Sequence, residues 1–159
     1  MLARLKGLSS ESLTFLWLML HGLLPTRDRL YRILPTVTNA TCQEQACDQL
    51  DSLKHALTEC RNTRPVFDWM MRGLRKFNSS LTVAKLLLLD LEPDNVLAFG
   101  HLPLVWFTAE VLRRVWRRRR DGRQCSLFLI RAELEAEVNI VRHSWYEEMT
   151  VTLEQMMGD

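Results

Sequence analysis

Apolar residues recur at intervals of three and four along most of the chain, which predicts a succession of amphipathic helices. The first helix is expected to begin after Ser9 and to end at Gly22. Thr26 can cap a second, short helix, which Pro35 stops. Residues 36–49 are small and polar and include two cysteines, so we expect a loop there.

The sequence of the middle of the chain predicts further helices, which differ in length and in how apolar they are. Asp51 can cap a short helix that ends near Cys60, and Pro65 fits the first turn of the next helix. Residues 81–91 are apolar on nearly all sides, so we expect a helix in the centre of the core. Pro103 lies at the start of a longer helix.

The last third of the chain predicts an antiparallel helix hairpin. One helix reaches about Arg120, and Asp121 with Gly122 is a turn signal. Beyond the turn, one long amphipathic helix is predicted, with apolar positions at 127, 130, 134, 138, 141, 145 and 149. We therefore predict an all-α single domain over residues 1–159, an irregular helical bundle whose region 80–159 ends in a long hairpin.

Composition agrees with a globular domain. The 159 residues are 47% hydrophobic and 25% charged, which excludes a disordered or fibrous chain. The uncharged run 12–26 is shorter than the roughly 20 residues of a spanning helix, and it lacks a small-residue cleavage pattern. We therefore expect a protein that is neither secreted nor transmembrane, with a nuclear or cytoplasmic location and reduced cysteines.

Three of the four cysteines and one histidine lie close together in the sequence, in the pattern C-x4-C-x7-H-x4-C formed by Cys42, Cys47, His55 and Cys60. Three thiolates and an imidazole are a common structural ligand set for Zn²⁺. The alternatives are unrelated reduced thiols beside a surface histidine, or an adventitious disulfide. Cys125 lies outside this pattern and is expected to be a buried free cysteine.

A zinc site would impose a condition on the short helix that carries the second half of the pattern. In a straight α-helix, His55 and Cys60 would point about 140° apart. If both residues are ligands, the helix must therefore loosen or end between Thr58 and Cys60.

The first half of the chain resembles the zinc-binding segment that follows the reverse transcriptase in the polyproteins of non-LTR (LINE-type) retrotransposons. In that family, a helix with a tryptophan leads to H-x-x-L-P-T-x-x-R-L, a cysteine pair, an E-T-L-x-H-x-L-x-x-C helix and another tryptophan. The corresponding residues here are Trp17, His21, Leu24, Pro25, Thr26, Arg29, Leu30, Cys42, Cys47, Ser52, Leu53, His55, Leu57, Cys60 and Trp69. The resemblance covers roughly residues 10–72 and implies a bound Zn²⁺ on Cys42, Cys47, His55 and Cys60.

Two departures from the family are informative. The family's cysteines are commonly separated by two residues, whereas Cys42 and Cys47 are separated by four, so the turn that presents them must differ. The sequence also has no Asp-Asp pair, which a reverse transcriptase needs for its two divalent ions, and no other common catalytic motif. The resemblance thus implies a non-catalytic tail of such a polyprotein, or its descendant, and not an enzyme.

A run of seven arginines between positions 113 and 123 contains only one acidic residue, although the chain's net charge is only +2. Arginines neutralise phosphates, and an indole stacks on unpaired bases, so the run predicts an RNA- or DNA-binding surface. Its predicted residues are Arg113, Arg114, Trp116, Arg117, Arg118, Arg119, Arg120 and Arg123. The alternatives are a nuclear localisation patch, or a face paired with the acids Glu133, Glu135, Glu137, Glu147 and Glu148.

Together these features predict a zinc-binding, nucleic-acid-binding accessory segment of retrotransposon type. Lys54, Arg61 and Arg64, beside the predicted zinc site, are further candidates for phosphate contact. The partner would be RNA or DNA, with a reverse-transcriptase domain or a second copy of the chain as further possibilities. The alternative function is a metal-free helical protein-interaction module, which would dimerise or dock through the hairpin at 103–156.

Overall fold

The computed structural model describes residues 8–34, 36–37, 39–95, 97, 100–141 and 147–158, and no strand is assigned within these ranges. A π-helical turn over His55–Glu59 precedes the third α-helix. The α-helices are α1 (Ser10–Leu20), α2 (Arg27–Ile33), α3 (Arg64–Arg75), α4 (Val83–Leu87), α5 (Leu102–Arg120), α6 (Leu127–Val141) and α7 (Glu147–Met157). The predicted all-α class is confirmed.

The first two helices begin and end where local sequence signals place them. The Ser9 hydroxyl accepts a hydrogen bond from the Ser12 backbone N–H at 3.1 Å, which caps α1. Gly22 follows α1 with φ +62°, a left-handed conformation that favours glycine. Thr26 caps α2 through the Arg29 N–H at 3.4 Å.

Helix α5 lies at the centre of the bundle and packs against α1, α3, α6, α7 and the π turn. Trp106 and Phe107 in its first half are almost completely buried. Helices α3 and α7 also approach each other closely, because Gly73 of α3 lies against the Met156 backbone of α7, where any Cβ would clash. These contacts bury the first half of α5 in the core and pack α3 closely against α7.

The apolar segment 81–91 does not form the central helix that we expected. Only Val83–Leu87 is helical, and Leu88 is 71% exposed. The Asn78 side chain donates to the Glu92 carbonyl at 2.7 Å, and this bond closes the segment into a compact loop. This bond joins residues 14 positions apart, and the hydrophobic pattern does not reveal it.

The hairpin of α5 and α6 is confirmed, with Gly122 in the turn at φ +65°. Its second arm is not the single long helix that we predicted, because α7 folds back along α6 and packs against α3. Arg131 of α6 and Glu154 of α7 consequently line one cleft. Burial of the α7 apolar face against α3 outweighs continuation of α6. Residues 142–146, with the predicted apolar position 145, lie outside the described residues.

No helix within the described ranges combines the length and the apolar character that a bilayer crossing requires.

Candidate metal centre

The four predicted ligands converge on one buried point. The Sγ atoms of Cys42 and Cys60 are 3.7 Å apart, and Cys47 Sγ lies 3.4 Å from His55 Nε2. The ligand atoms of all four residues lie within 4.8 Å of one another, and all four side chains are buried. This cluster of three cysteines and one histidine could hold a metal ion, as the sequence pattern predicts.

A short back-folded loop positions the first two cysteines. Thr41 and Leu50 form an isolated antiparallel bridge, which turns the chain back on itself. Within the loop, the Cys47 N–H donates to the Glu44 carbonyl at 3.0 Å, and Ala46 takes the left-handed conformation at φ +58°. This turn brings the two cysteines together despite the four residues between them.

The π turn positions the second pair of side chains. The Cys60 N–H donates to the His55 carbonyl at 2.9 Å, so the hydrogen bond spans five residues instead of four. This wider turn brings His55 and Cys60 to the same side of the helix, and the predicted loosening of the helix is confirmed. The cap differs from our prediction, because the Ser52 hydroxyl, not Asp51, accepts from the His55 N–H at 3.1 Å.

Asp51 instead joins a contact that sequence reasoning missed. Its carboxylate accepts from the Arg27 backbone N–H at 2.8 Å and pairs with the guanidinium of Arg119, in the last turn of α5. Arg119 also donates to Cys42 Sγ at 3.2 Å and to Cys60 Sγ at 3.5 Å. One guanidinium thus connects the cysteine cluster, the start of α2 and the end of α5.

This contact is protected from solvent. The side chains of Arg119 and Asp51 are 9% and 5% exposed. Burial alone would lower the pKa of Arg119, but the hydrogen bond to Cys42 and the charge of Asp51 raise it above its ordinary value. Arg119 therefore stays charged, and its charge faces the sulfur atoms.

Burial also shifts the pKa of two members of the cluster. It raises the pKa of Cys60 to about 11, although the Asn62 backbone N–H and Arg119 act in the opposite direction. Burial lowers the pKa of His55, and the positive charge of Arg119 adds to this effect. The imidazole is consequently neutral at pH 7, which leaves a nitrogen lone pair for a metal ion. A bound cation would supply the charge that stabilises the thiolates.

Two of the predicted nucleic-acid-binding arginines face a buried carboxylate. Glu110 of α5 is fully buried and accepts hydrogen bonds from the Ser12 hydroxyl, Arg113 and Arg114. Burial would raise the pKa of Glu110, but the bonds from Ser12 and Arg113 outweigh it and the pKa is lowered. Arg113 also pairs with the exposed Glu11 at 3.0 Å. The Ser12–Glu110 hydrogen bond and the Arg113–Glu11 pair join α1 to α5.

Two arginines pair across the hairpin. Arg114 pairs with Glu137, and Arg118 pairs with Glu133. Of the acids considered for this pairing, Glu135 bonds instead to Arg131 of its own helix, and the side chains of Glu147 and Glu148 lie outside the described part of the chain. Acid pairing therefore accounts for part of the arginine run.

The remaining members of the run are more exposed. Arg117, Arg120 and Arg123 lie at the surface, and Trp116 is partly buried. Arg117 lies 3.9 Å from Glu133, and Arg120 pairs through Nε with the adjacent Asp121. Exposed cations therefore remain at the end of α5 after internal pairing.

The three basic residues beside the cluster, and the fourth cysteine, have different surroundings. Lys54 pairs with Glu59 and Arg64 pairs with Asp68, whereas Arg61 is exposed. Cys125 is buried, as predicted, and it precedes α6.

Comparison with family models, with curated proteins and with solved structures finds no match. The resemblance to the retrotransposon zinc-binding segment therefore stays a prediction based on the residues quoted above. The described residues define an all-α chain with a buried group of three cysteines and one histidine that could hold a metal ion.

Proposed function

We propose that this chain is a zinc-stabilised helical domain that binds nucleic acid and performs no catalysis of its own. Zn²⁺ would be held by Cys42, Cys47, His55 and Cys60. The observation that carries the proposal is the convergence of these four buried side chains, from two separate segments, on one point.

The distances within the cluster fit Zn²⁺. Thiolates about 2.3 Å from a tetrahedral zinc ion lie roughly 3.8 Å apart, and a thiolate and an imidazole nitrogen lie roughly 3.5 Å apart. The corresponding distances are 3.7 Å between Cys42 and Cys60, and 3.4 Å between Cys47 and His55. Four protein ligands leave no open position for water, so the metal would be structural.

The surroundings of the cluster also suit the charge of such a site. A divalent cation with three thiolates carries one net negative charge, and the Arg119 guanidinium donates to two of the sulfurs. The metal would close the segment between Cys42 and Cys60 and, through Arg119, would anchor the end of α5.

Nucleic-acid binding is supported by the surface of that anchored helix end. Arg117, Arg120 and Arg123 are exposed there beside the partly buried Trp116. Guanidinium groups bind phosphate oxygens, and an indole offers a stacking plane for a base. In the retrotransposon interpretation, the ligand would be the element's RNA or its target DNA, and the chain would be an accessory segment of a reverse transcriptase.

Metal analysis of purified protein tests the proposed zinc site. We expect about one zinc ion per chain, lost in Cys42→Ser and in His55→Ala, because a structural site uses all four ligands. Cys125→Ser is the matched control, since Cys125 is a buried cysteine outside the cluster. Replacement of zinc by Co²⁺ should give the absorption of a tetrahedral thiolate site in the wild type and in Cys125→Ser.

A folded wild-type protein without bound zinc would contradict the metal site and would favour the alternative, a metal-free interaction module. Equal loss of zinc in Cys125→Ser and Cys42→Ser would show that zinc content reports on folding and not on ligation.

A further inference from the structure

Two adjacent clefts flank Trp116 near the end of α5. The first, of about 480 Å³, lies between α1 and α5. The second, of about 420 Å³, lies between the end of α5, helix α2 and the loop that contains Gln43, Glu44 and Asp51. Trp116 and Arg120 line both clefts. Each volume is in the range of small-ligand sites, and the shared indole makes them two parts of one surface.

The helical repeat explains why this face of α5 is basic. Residues 113, 116, 117 and 120 are spaced three and four apart, so they share one helix face. All four line the first cleft, in which Glu11 is the acidic lining residue. Arg114, Arg118 and Arg119, which make the closer contacts with α6 and the cysteine cluster, lie on the other faces. Arg113 is paired with Glu11 and Glu110, and Arg117 lies 3.9 Å from Glu133. The first cleft is nevertheless lined by three arginines and one carboxylate, and Arg117 and Arg120 are exposed there.

The second cleft contains an arginine that the sequence pattern did not suggest. Arg27, at the start of α2, lines this cleft, and its Nε is buried without a hydrogen-bond partner. An anion in this cleft would lie beside the Arg27 side chain, whose guanidinium is a charged donor for it. The carboxylates here are already engaged, Asp51 by Arg119 and Glu44 by Asn62.

We propose that the two clefts form one groove, the Trp116 groove, that binds a single-stranded nucleic acid. An unpaired base stacks on Trp116, and the phosphates on either side of it contact Arg117, Arg120 and Arg27. The groove gives the nucleic-acid part of the proposed function a specific site, and it rests on that part.

The arrangement favours a single strand over the other anionic polymers. Stacking on an indole needs a base face that is free, and pairing in a duplex hides it. An acidic peptide would satisfy the arginines but would leave the indole plane without a planar partner. A chain of alternating bases and phosphates matches a groove in which an indole lies between cations.

Fluorescence anisotropy with a labelled 12-nucleotide single-stranded RNA tests the groove in the zinc-loaded, full-length protein. On a single strand, the logarithm of the binding constant falls with the logarithm of the salt concentration with a slope of about 0.7 per phosphate contact. The double variant Arg117→Gln with Arg120→Gln removes two such contacts, so it should lower the magnitude of this slope by about 1.4. Trp116→Leu, which keeps an apolar side chain, should weaken binding roughly 5- to 100-fold without changing that slope. Trp116→Phe should weaken it less.

Two further variants separate a groove from diffuse charge. Arg123→Gln is the matched control, because Arg123 belongs to the same arginine run and is exposed but lines neither cleft. It should change the affinity less than about threefold, since it removes at most a peripheral phosphate contact. Arg27 lies outside α5. Arg27→Gln should weaken binding about as much as Arg120→Gln alone, and this test does not depend on whether Trp116→Leu folds.

The outcomes distinguish failure of the groove from failure of the proposed function. RNA binding that Arg123→Gln weakens as much as Arg120→Gln, with Arg27→Gln without effect, would overturn the groove and leave nucleic-acid binding intact. Equal affinity for a duplex of the same sequence, or displacement by an equal concentration of a glutamate 12-mer, would also overturn it. Absence of RNA binding by the wild type at 50 mM salt would refute both.

Discussion

Arg119 offers a direct test of how the cysteine cluster is joined to the helical bundle. Arg119→Met keeps the aliphatic part of the side chain and removes the guanidinium that contacts Asp51, Cys42 and Cys60. Asp51 would then stay buried with the Arg27 N–H as its remaining donor. Loss of one partner of a buried ion pair costs about 3–5 kcal/mol, since the other charge remains desolvated. We expect a loss of this size in the free energy of unfolding.

Urea unfolding of the zinc-loaded protein at pH 7 measures the loss. The control is Arg120→Met, whose side chain is 62% exposed, and which should cost less than about 1 kcal/mol. Adding Asp51→Asn to Arg119→Met should recover part of the loss, because a buried amide is less costly than a buried unpaired carboxylate. Equal losses for Arg119→Met and Arg120→Met, or no recovery in the double variant, would refute the reasoning.

Two further predictions concern the packing of the bundle. Gly73→Ala should lower the free energy of unfolding by about 1–3 kcal/mol in denaturant titration, because its Cβ would meet the Met156 backbone, and unchanged stability would refute that close approach. The lowered pKa of Glu110 means that its ionised form stabilises the fold above the carboxyl's unfolded pKa of about 4.3, and that this contribution is lost as pH falls through the lower folded pKa. Thermal melts from pH 7 to pH 2 should show a weaker acid dependence in Glu110→Gln than in the wild type, and parallel curves would contradict the prediction.

Features that depend on neighbouring residues could be predicted from the sequence. Ser9 and Thr26 cap their helices through backbone groups only three positions away, so their residue type and place were sufficient. The convergence of Cys42, Cys47, His55 and Cys60 could be predicted for a related reason, since three cysteines and a histidine within nineteen positions form a common ligand pattern. A regular α-helix would point His55 and Cys60 to different sides, so their convergence required a wider turn, and the π turn is such a turn.

Features that depend on distant segments could not be predicted in this way. Asp51 has the sequence context of a helix cap, and its pairing with Arg119, 68 positions away, depends on how α5 passes the loop. The packing of α7 against α3 also joins distant segments of the chain. Within the arginine run, periodicity separates the faces of α5 but does not say which neighbour each face meets.

The arginine run is best understood as three surfaces of one helix end. Arg114 and Arg118 are four residues apart and face the acids of α6, whereas Arg119 faces the cysteine cluster. Trp116 and Arg120, again four residues apart, are left for the groove. Because the first two faces are held by buried or partly buried ion pairs, they fix the rotation of α5 about its own axis. The cluster would therefore act on the groove through geometry alone, by determining which way its exposed arginines point.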